Sequence, residues 1–337
     1  MIRVLFLFIY AKMAINIAVI PAFINVGICT EEFGSIEIFT GFLLIYTIYR
    51  MVSAPYFRKT RRHKRQVWPK PGPYQCHPST SFSKETGCLP AEYISKAIKD
   101  LKITPLNQTP LQALAHHLGV DSNNQRAFLN ALPLSQSRKD SLAKSYLRPA
   151  YPEAWKTNPK EWLDSNNIRN VMRQYEEARS DFIFLGPFPI DFASPDPYAE
   201  KEKCLIEEMC ELNLDREEIR GKKFIGIVFN LDRHDRDGSH WVAAFIDIVK
   251  DKCYYFDSYG MRPPNQIYRF MQWLTIQEPK MELARNGARF QLSKSECGMF
   301  SMYFILSMLN GMDFKRFCMG RPPDSLMFTL RTWFYST

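Results

Sequence analysis

The sequence has no Cys-x-x-Cys pair. Its eight cysteines (Cys29, Cys76, Cys88, Cys204, Cys210, Cys253, Cys297 and Cys318) are scattered over 337 residues. That spacing excludes a zinc knuckle and a dense disulfide framework. Most of these thiols are expected to be small buried hydrophobes in a reducing compartment. Cys76-His77 and Cys88 are weak candidates for metal ligands, and no metal or cofactor is expected. Near the N-terminus there is also no uncharged apolar run of the roughly 20 residues that a helix needs to cross a bilayer. Met13–Cys29 and Ile38–Tyr49 are uncharged but shorter, and they reach spanning length only if flanking residues extend them. The helical segments that follow lack the clustered basic residues that reading base edges requires.

What is present points to a globular protein. Apolar residues make up 46% of the chain and charged residues 23%, enough for real hydrophobic cores. The net charge is +9, and six positive charges fall within Arg58–Arg65. Four segments are expected: an apolar, membrane-like stretch over 1–57, a basic and Pro-rich linker over 58–88, a helical module over 89–150, and the main domain over 151–337. The first stretch reads as a membrane hairpin or a single anchor. A signal peptide and a buried helical pair are the competing readings. A basic run directly after an apolar segment fits the positive-inside rule and places the main domain on the cytoplasmic side. Arg58–Arg65 is also a candidate for contact with anionic lipid or nucleic acid.

Periodicity predicts helices over Ala91–Leu101, Leu111–Leu118 and Asn124–Leu132, the second with Thr109 as cap and Gly119 as stop. Asp164 or Ser165 caps a further helix through Tyr175. Asp181–Phe192 has strand composition broken by Gly-Pro, and Lys201–Leu212 reads as a helix. Strands follow at Phe224–Phe229, Trp241–Ile248 and Cys253–Phe256, then a helix at Gln266–Leu274 and a short strand at Arg289–Leu292. Gly298–Leu309 (GMFSMYFILSML) is uncharged and strongly apolar, so it reads as a buried helix with Cys297 at its start.

Four residues in this second half carry chemistry. His240 opens one strand and Asp257 closes the next, so a hairpin brings them to the same end, where a carboxylate can orient an imidazole. Unpaired N–H groups at a helix N-terminus favour a thiolate at Cys297. Such a thiol can attack a carbonyl while His240 protonates the leaving amine. Gln291 can donate an amide N–H to the developing oxyanion, beside the backbone N–H of Cys297. Taken singly, His240 reads equally well as a structural strand-end histidine, and Cys297 as an inert core thiol.

His240-Trp241, Asp257, Gln291 and Glu296-Cys297-Gly298 resemble, in this order, the motif of the ubiquitin-like-protein protease family. That family comprises cysteine peptidases unlike papain, among them SUMO-deconjugating enzymes and the adenovirus maturation protease. Asp257 lies 17 positions after His240, and Gln291 precedes Cys297 by six, as in the family pattern. Glu296 departs from the usual Asp before the cysteine. Trp162-Leu163 resembles the family's Trp-Leu segment, which makes Trp162 and Trp241 candidate walls of a substrate groove. The resemblance implies an α+β fold with a central mixed sheet flanked by helices. It implies a thiol endopeptidase with His240 as acid and base, Asp257 as orienter, Cys297 as nucleophile and Gln291 in the oxyanion hole. The N-terminal extension resembles the proteases that large DNA viruses use to process structural polyproteins at Gly-containing sites, which implies viral precursors as partners and the host cytoplasm or virion as location. A deconjugating enzyme for ubiquitin-like proteins and a non-catalytic scaffold of the virion are the alternatives.

Overall fold

The computed structural model describes residues 74–337, except 106, 198, 200–202, 216–218 and 220. The apolar segments of residues 1–52 and the basic run Arg58–Arg65 lie outside the described residues. Among the described residues no helix is long and apolar enough to cross a membrane.

A small helical layer comes first: α1 (Ala91–Asp100), α2 (Pro110–Leu118), α3 (Gln125–Ala131) and α4 (Gln136–Tyr146). Local chemistry explains the second of these. The Thr109 hydroxyl accepts from Gln112 N and the Gln112 side chain accepts from Thr109 N, a reciprocal capping box, while Gly119 ends the helix at φ 69°. Sequence periodicity did not reveal α4, because Leu142 is its one buried residue. These helices share an apolar cluster that includes Leu114, Phe128, Leu129 and Leu147. Hydrogen bonds join the layer to the rest of the fold. Arg126 reaches the Ser336 hydroxyl at 2.6 Å and the Arg148 carbonyl at 2.8 Å, and Gln174 donates to the Leu147 carbonyl at 2.9 Å.

The larger part is built on a five-stranded mixed sheet in the order β1 (Phe182–Pro189), β2 (Phe224–Asn230), β3 (Trp241–Asp247), β4 (Lys252–Phe256), β5 (Glu282–Arg285). The outer pairs β1/β2 and β4/β5 are parallel, and β2/β3 and β3/β4 are antiparallel. Every residue of β3 is buried, because both faces of the sheet are covered. Trp241, Ala243 and Phe245 enter the apolar cluster on one face, and Val242, Ala244 and Ile246 the cluster on the other. On the first face lie α5 (Ala154–Thr157), α6 (Ser165–Ala178), α9 (Cys297–Leu309), α10 (Phe314–Gly320) and α11 (Asp324–Phe334); α7 (Glu207–Cys210) and α8 (Asn265–Gln277) contribute to the second. All thirteen residues of α9 are buried, as an all-round apolar helix must be. It approaches β2 so closely that a Cβ at Gly226 would lie 2.7 Å from Ile305 Cγ2.

Three expectations need correction. Lys201–Leu212 is not one helix: Lys203–Ile206 is irregular and only Glu207–Cys210 is helical. A Cys204–Cys210 disulfide closes this segment, and Cys204 pairs with Pro195 in an isolated bridge, so the backbone follows a covalent loop rather than helical periodicity. Arg289–Leu292 is not a strand. Phe290 N and Gln291 N both bond to the Ser258 carbonyl, and the fifth strand is instead the short, half-exposed Glu282–Arg285, whose polar ends hide it. The cysteines are also not mostly free. Cys76 is joined to Cys88 as Cys204 is to Cys210, leaving Cys253, Cys297 and Cys318 free among the described residues. The disulfide also removes Cys76 and Cys88 from consideration as metal ligands.

Candidate active site

The β3/β4 hairpin sets the first two residues of the site. In its antiparallel register Ala243 lies opposite Phe256, so the residue before β3 and the residue after β4 meet at one end. His240 Nε2 donates to Asp257 Oδ1 at 2.7 Å. Asp257 is fully buried and held from several sides: its carboxylate also accepts from Tyr259 N at 2.9 Å and Met261 N at 3.1 Å. Asn286, also buried, grips the backbone of Asp257, accepting from its N–H at 2.9 Å and donating to its carbonyl at 2.6 Å. An imidazole held this way has one tautomer and one orientation, the role a buried carboxylate plays beside a catalytic histidine.

Cys297 begins α9, and its side chain lies near enough to His240 to act on the imidazole. Nε2 is committed to Asp257, which leaves Nδ1 for the thiol. Burial disfavours charge on His240, but the hydrogen bonds to Asp257 and Cys297 and the negative charge of both outweigh it and raise its pKa to about 9. The sign has two consequences. The stabilisation carried by protonated His240 is fully present below its unfolded pKa of about 6.5 and is lost as pH rises through about 9. For activity that needs an imidazolium, kcat/KM should fall above about pH 9, and Asp257→Asn should move this limb to lower pH. A pH–rate profile on a non-ionising substrate checks both; a limb unmoved by Asp257→Asn would remove His240 from that role.

Gln291 is completely buried. The Ser258 hydroxyl donates to its Oε1 at 2.7 Å, which assigns the amide orientation, and its Nε2 gives one hydrogen to the Ser293 carbonyl at 2.9 Å. No partner for its second N–H is among the hydrogen bonds of the described residues. Glu296, directly before the cysteine, is tied by a two-pronged ion pair to Arg331 of α11, with Oε1 to Nη2 at 2.8 Å and Oε2 to Nε at 3.1 Å. The Ser295 hydroxyl also donates to Glu296. Gly298 is closely packed: a Cβ there would sit 3.2 Å from both Leu163 Cβ and Trp241 Cδ1. The sequence suggests that this glycine leaves room beside the nucleophile, and the structure fills that room with Leu163 and Trp241.

The residues on either side of His240, though not His240 itself, line a cavity of about 610 Å³ whose lining includes Trp162, Phe188, Asp232, Arg236, Gly238 and Trp241. Trp162 is 42% exposed and stands as a wall. Trp241 is 6% exposed, with its indole N–H on the Leu163 carbonyl at 2.9 Å, so it forms floor rather than wall. The loop between β2 and β3 supplies much of the lining. It is anchored by Asp191, whose carboxylate accepts from His234 N at 3.0 Å and His234 Nδ1 at 2.7 Å. Burial works against that carboxylate, but the hydrogen bonds from His234 hold it below its usual range. Ser258, Asn286, Glu296 and Arg331 were likewise not assigned roles from sequence.

The arrangement as a whole is a thiol beside an oriented imidazole, with a groove nearby. Residues 198–320 match the C-terminal catalytic domain of the Ulp1 protease family. The chain is 33% identical over 159 residues to a protein of Acanthamoeba polyphaga mimivirus named as a thiol protease, covering 46% of this chain and 50% of that one. It is 36% identical over 115 residues to a cysteine protease of African swine fever virus (strain Badajoz 1971 Vero-adapted), covering 32% and 42%. The chain thus spans about half the length, or less, of the curated relatives it matches. The crystal structure of an African swine fever virus protease shares its fold, with a TM-score of 0.56 at 19% identity over 79% of this chain and 97% of that one. The family match and the order of the site residues agree over the same stretch: residues 198–320 are similar to a Ulp1-like protease domain.

Proposed function

We propose that this chain is a thiol endopeptidase that cuts viral structural precursors at Gly-containing sites. The observation that carries the reading is the chain of contacts from Asp257 through His240 to Cys297 at the start of a buried helix. In the first step the Cys297 thiolate forms a C–S bond to the scissile carbonyl carbon, and the carbonyl electron pair moves onto oxygen. The Cys297 N–H and the free N–H of Gln291 receive that charge. The intermediate collapses as the C–N bond breaks, and the imidazolium of His240 gives its proton to the leaving amine. Neutral His240 then takes a proton from water, whose oxygen attacks the thioester and releases Cys297. The groove supports the substrate class: Trp162 is part of its lining, and an extended chain with small side chains near the cut is what could lie against that ring. The viral origin of the matched relatives supports the precursor assignment.

Deconjugation of a ubiquitin-like protein is the second reading, because several African swine fever virus relatives are named SUMO-1 cysteine proteases. A panel of Gly-Gly and Gly-x peptides, run beside ubiquitin-like fusions, separates the two. Cleavage of the peptides at rates equal to or above those of the fusions is expected. Exclusive cleavage of the fusions would replace the precursor reading with deconjugation, and no cleavage of either, with no labelling of Cys297 by an electrophilic peptide, would leave a binding module.

A further inference from the structure

Outside the groove lining, the His240 imidazole is covered by an aromatic ring. Tyr259 stacks on it with centroids 4.7 Å apart and planes 22° from parallel. The guanidinium carbon of Arg289 in turn lies 4.9 Å from the Tyr259 centroid, and Arg289 Nε donates to the Gln291 carbonyl at 2.7 Å. A cation therefore stands one ring beyond the imidazole, exposed, with its stem anchored to the backbone of the oxyanion residue. Among the described residues Arg289 makes no ion pair. The carboxylates whose charges reach Tyr259 are engaged elsewhere: Asp257 with His240 and two backbone N–H groups, Asp324 with Leu292 N and Ser293 N at 3.0 and 2.8 Å. The same two loops carry exposed Arg262 and Lys294, also without ion pairs among the described residues, and Leu292 is 78% exposed. Neither Tyr259 nor Arg289 lines the cavity that holds Trp162 and Trp241.

Resting on the thiol-peptidase reading, we propose that Arg289, presented across Tyr259, is a specificity-determining residue that binds an acidic side chain in the leaving segment of the substrate. The direction follows from the proton transfer. His240 must protonate the leaving amine, so the segment that begins at that nitrogen starts against the imidazole. The acyl segment occupies the groove, and the leaving segment runs over the Tyr259 face, where Arg289 is the nearest uncommitted charge. A guanidinium offers a planar fork that matches a carboxylate with two hydrogen bonds. Stacked on a ring and tethered at Nε, it loses little side-chain freedom when it binds. The exposed Arg262 and Lys294 add to the positive field that steers an acidic segment to this side.

The test uses the full chain and peptides identical in the acyl half, carrying Glu, Gln or Lys at each of the first two leaving-side positions. Wild type should cut a Glu peptide about tenfold faster in kcat/KM than its Gln counterpart, and the ratio should shrink with added salt. Arg289→Gln should bring that ratio to about one, and Arg289→Glu should invert it in favour of Lys. Because each ratio is taken within one variant, a general loss of activity does not disturb it. A ratio of one in wild type, a ratio unchanged in both variants, or an acid preference that appears only at acyl-side positions overturns the proposal, while cleavage of the Gln peptide in each of those cases upholds the peptidase reading. Failure of every variant to cut any peptide overturns both.

Discussion

Cys297→Ala should reduce hydrolysis by on the order of 10⁴-fold or more, because no other group near His240 can form the acyl intermediate. The other free cysteines among the described residues are not substitutes. Cys253 lies within β4 with its thiol pushed up to about 12 by burial, and Cys318 is raised to about 11, by burial first and by Asp313 second. The substitution removes one sulfur from a position that α9 and the sheet already enclose, so the fold should persist, with a loss of about 1 kcal/mol. Rates on a Gly-Gly peptide, read beside thermal unfolding, decide the matter. Cleavage by the alanine variant at the wild-type rate would remove Cys297 as nucleophile. A collapse of the melting temperature would instead mean that the thiol serves the core, and an electrophilic peptide then separates the two roles by labelling wild-type Cys297 or failing to.

The second large effect is one of stability. Arg331→Met should destabilise the protein by about 3–5 kcal/mol, because it leaves the Glu296 carboxylate buried without its cation. Both side chains of the pair are almost fully removed from solvent, at 2% and 0% exposure. Arg331 also donates to the Glu161 carbonyl at 2.8 Å and packs 4.2 Å from the centre of the Trp155 ring. For a domain of this size such a loss lowers the melting temperature by on the order of 10 °C. Pairing Arg331→Met with Glu296→Leu should recover much of the loss, since replacing both members of a buried ion pair by apolar groups is often neutral. Urea unfolding of the single and double variants measures this. A single variant within about 1 kcal/mol of wild type would show that the pair does not hold the loop before Cys297.

The pH behaviour shows how sequence and structure divide the account. A coupled His240–Cys297 pair is legible from residue types and implies an acid-side limb. The alkaline limb near pH 9 requires the contacts of His240 with Asp257 and Cys297 and its partial burial, none of which a spacing can supply. Helices α1, α2, α3 and α6 were legible because their apolar stripes and caps are local: Thr109, Asn124 and Asp164 each accept from a backbone N–H three residues on. The segment from Lys201 to Leu212 was misread because its shape is set by a disulfide, and β5 was missed because a four-residue edge strand with exposed ends has almost no alternation to detect.

By itself, the sequence picked out the candidate residues of this site. The order His240, Asp257, Gln291, Cys297, the hairpin that carries the first pair and the apolar helix behind the thiol are all encoded by neighbours in the chain, where periodicity and turn residues act. Only the tertiary structure decided what holds those groups in place. Asn286 grips Asp257 from 29 residues away, Ser258 orients Gln291 from 33, and Arg331 meets Glu296 from 35. A polar side chain far along the chain leaves no local pattern. Its partner is chosen by which loops the packed sheet and helices bring together, and by the cost of leaving a buried polar group unpaired.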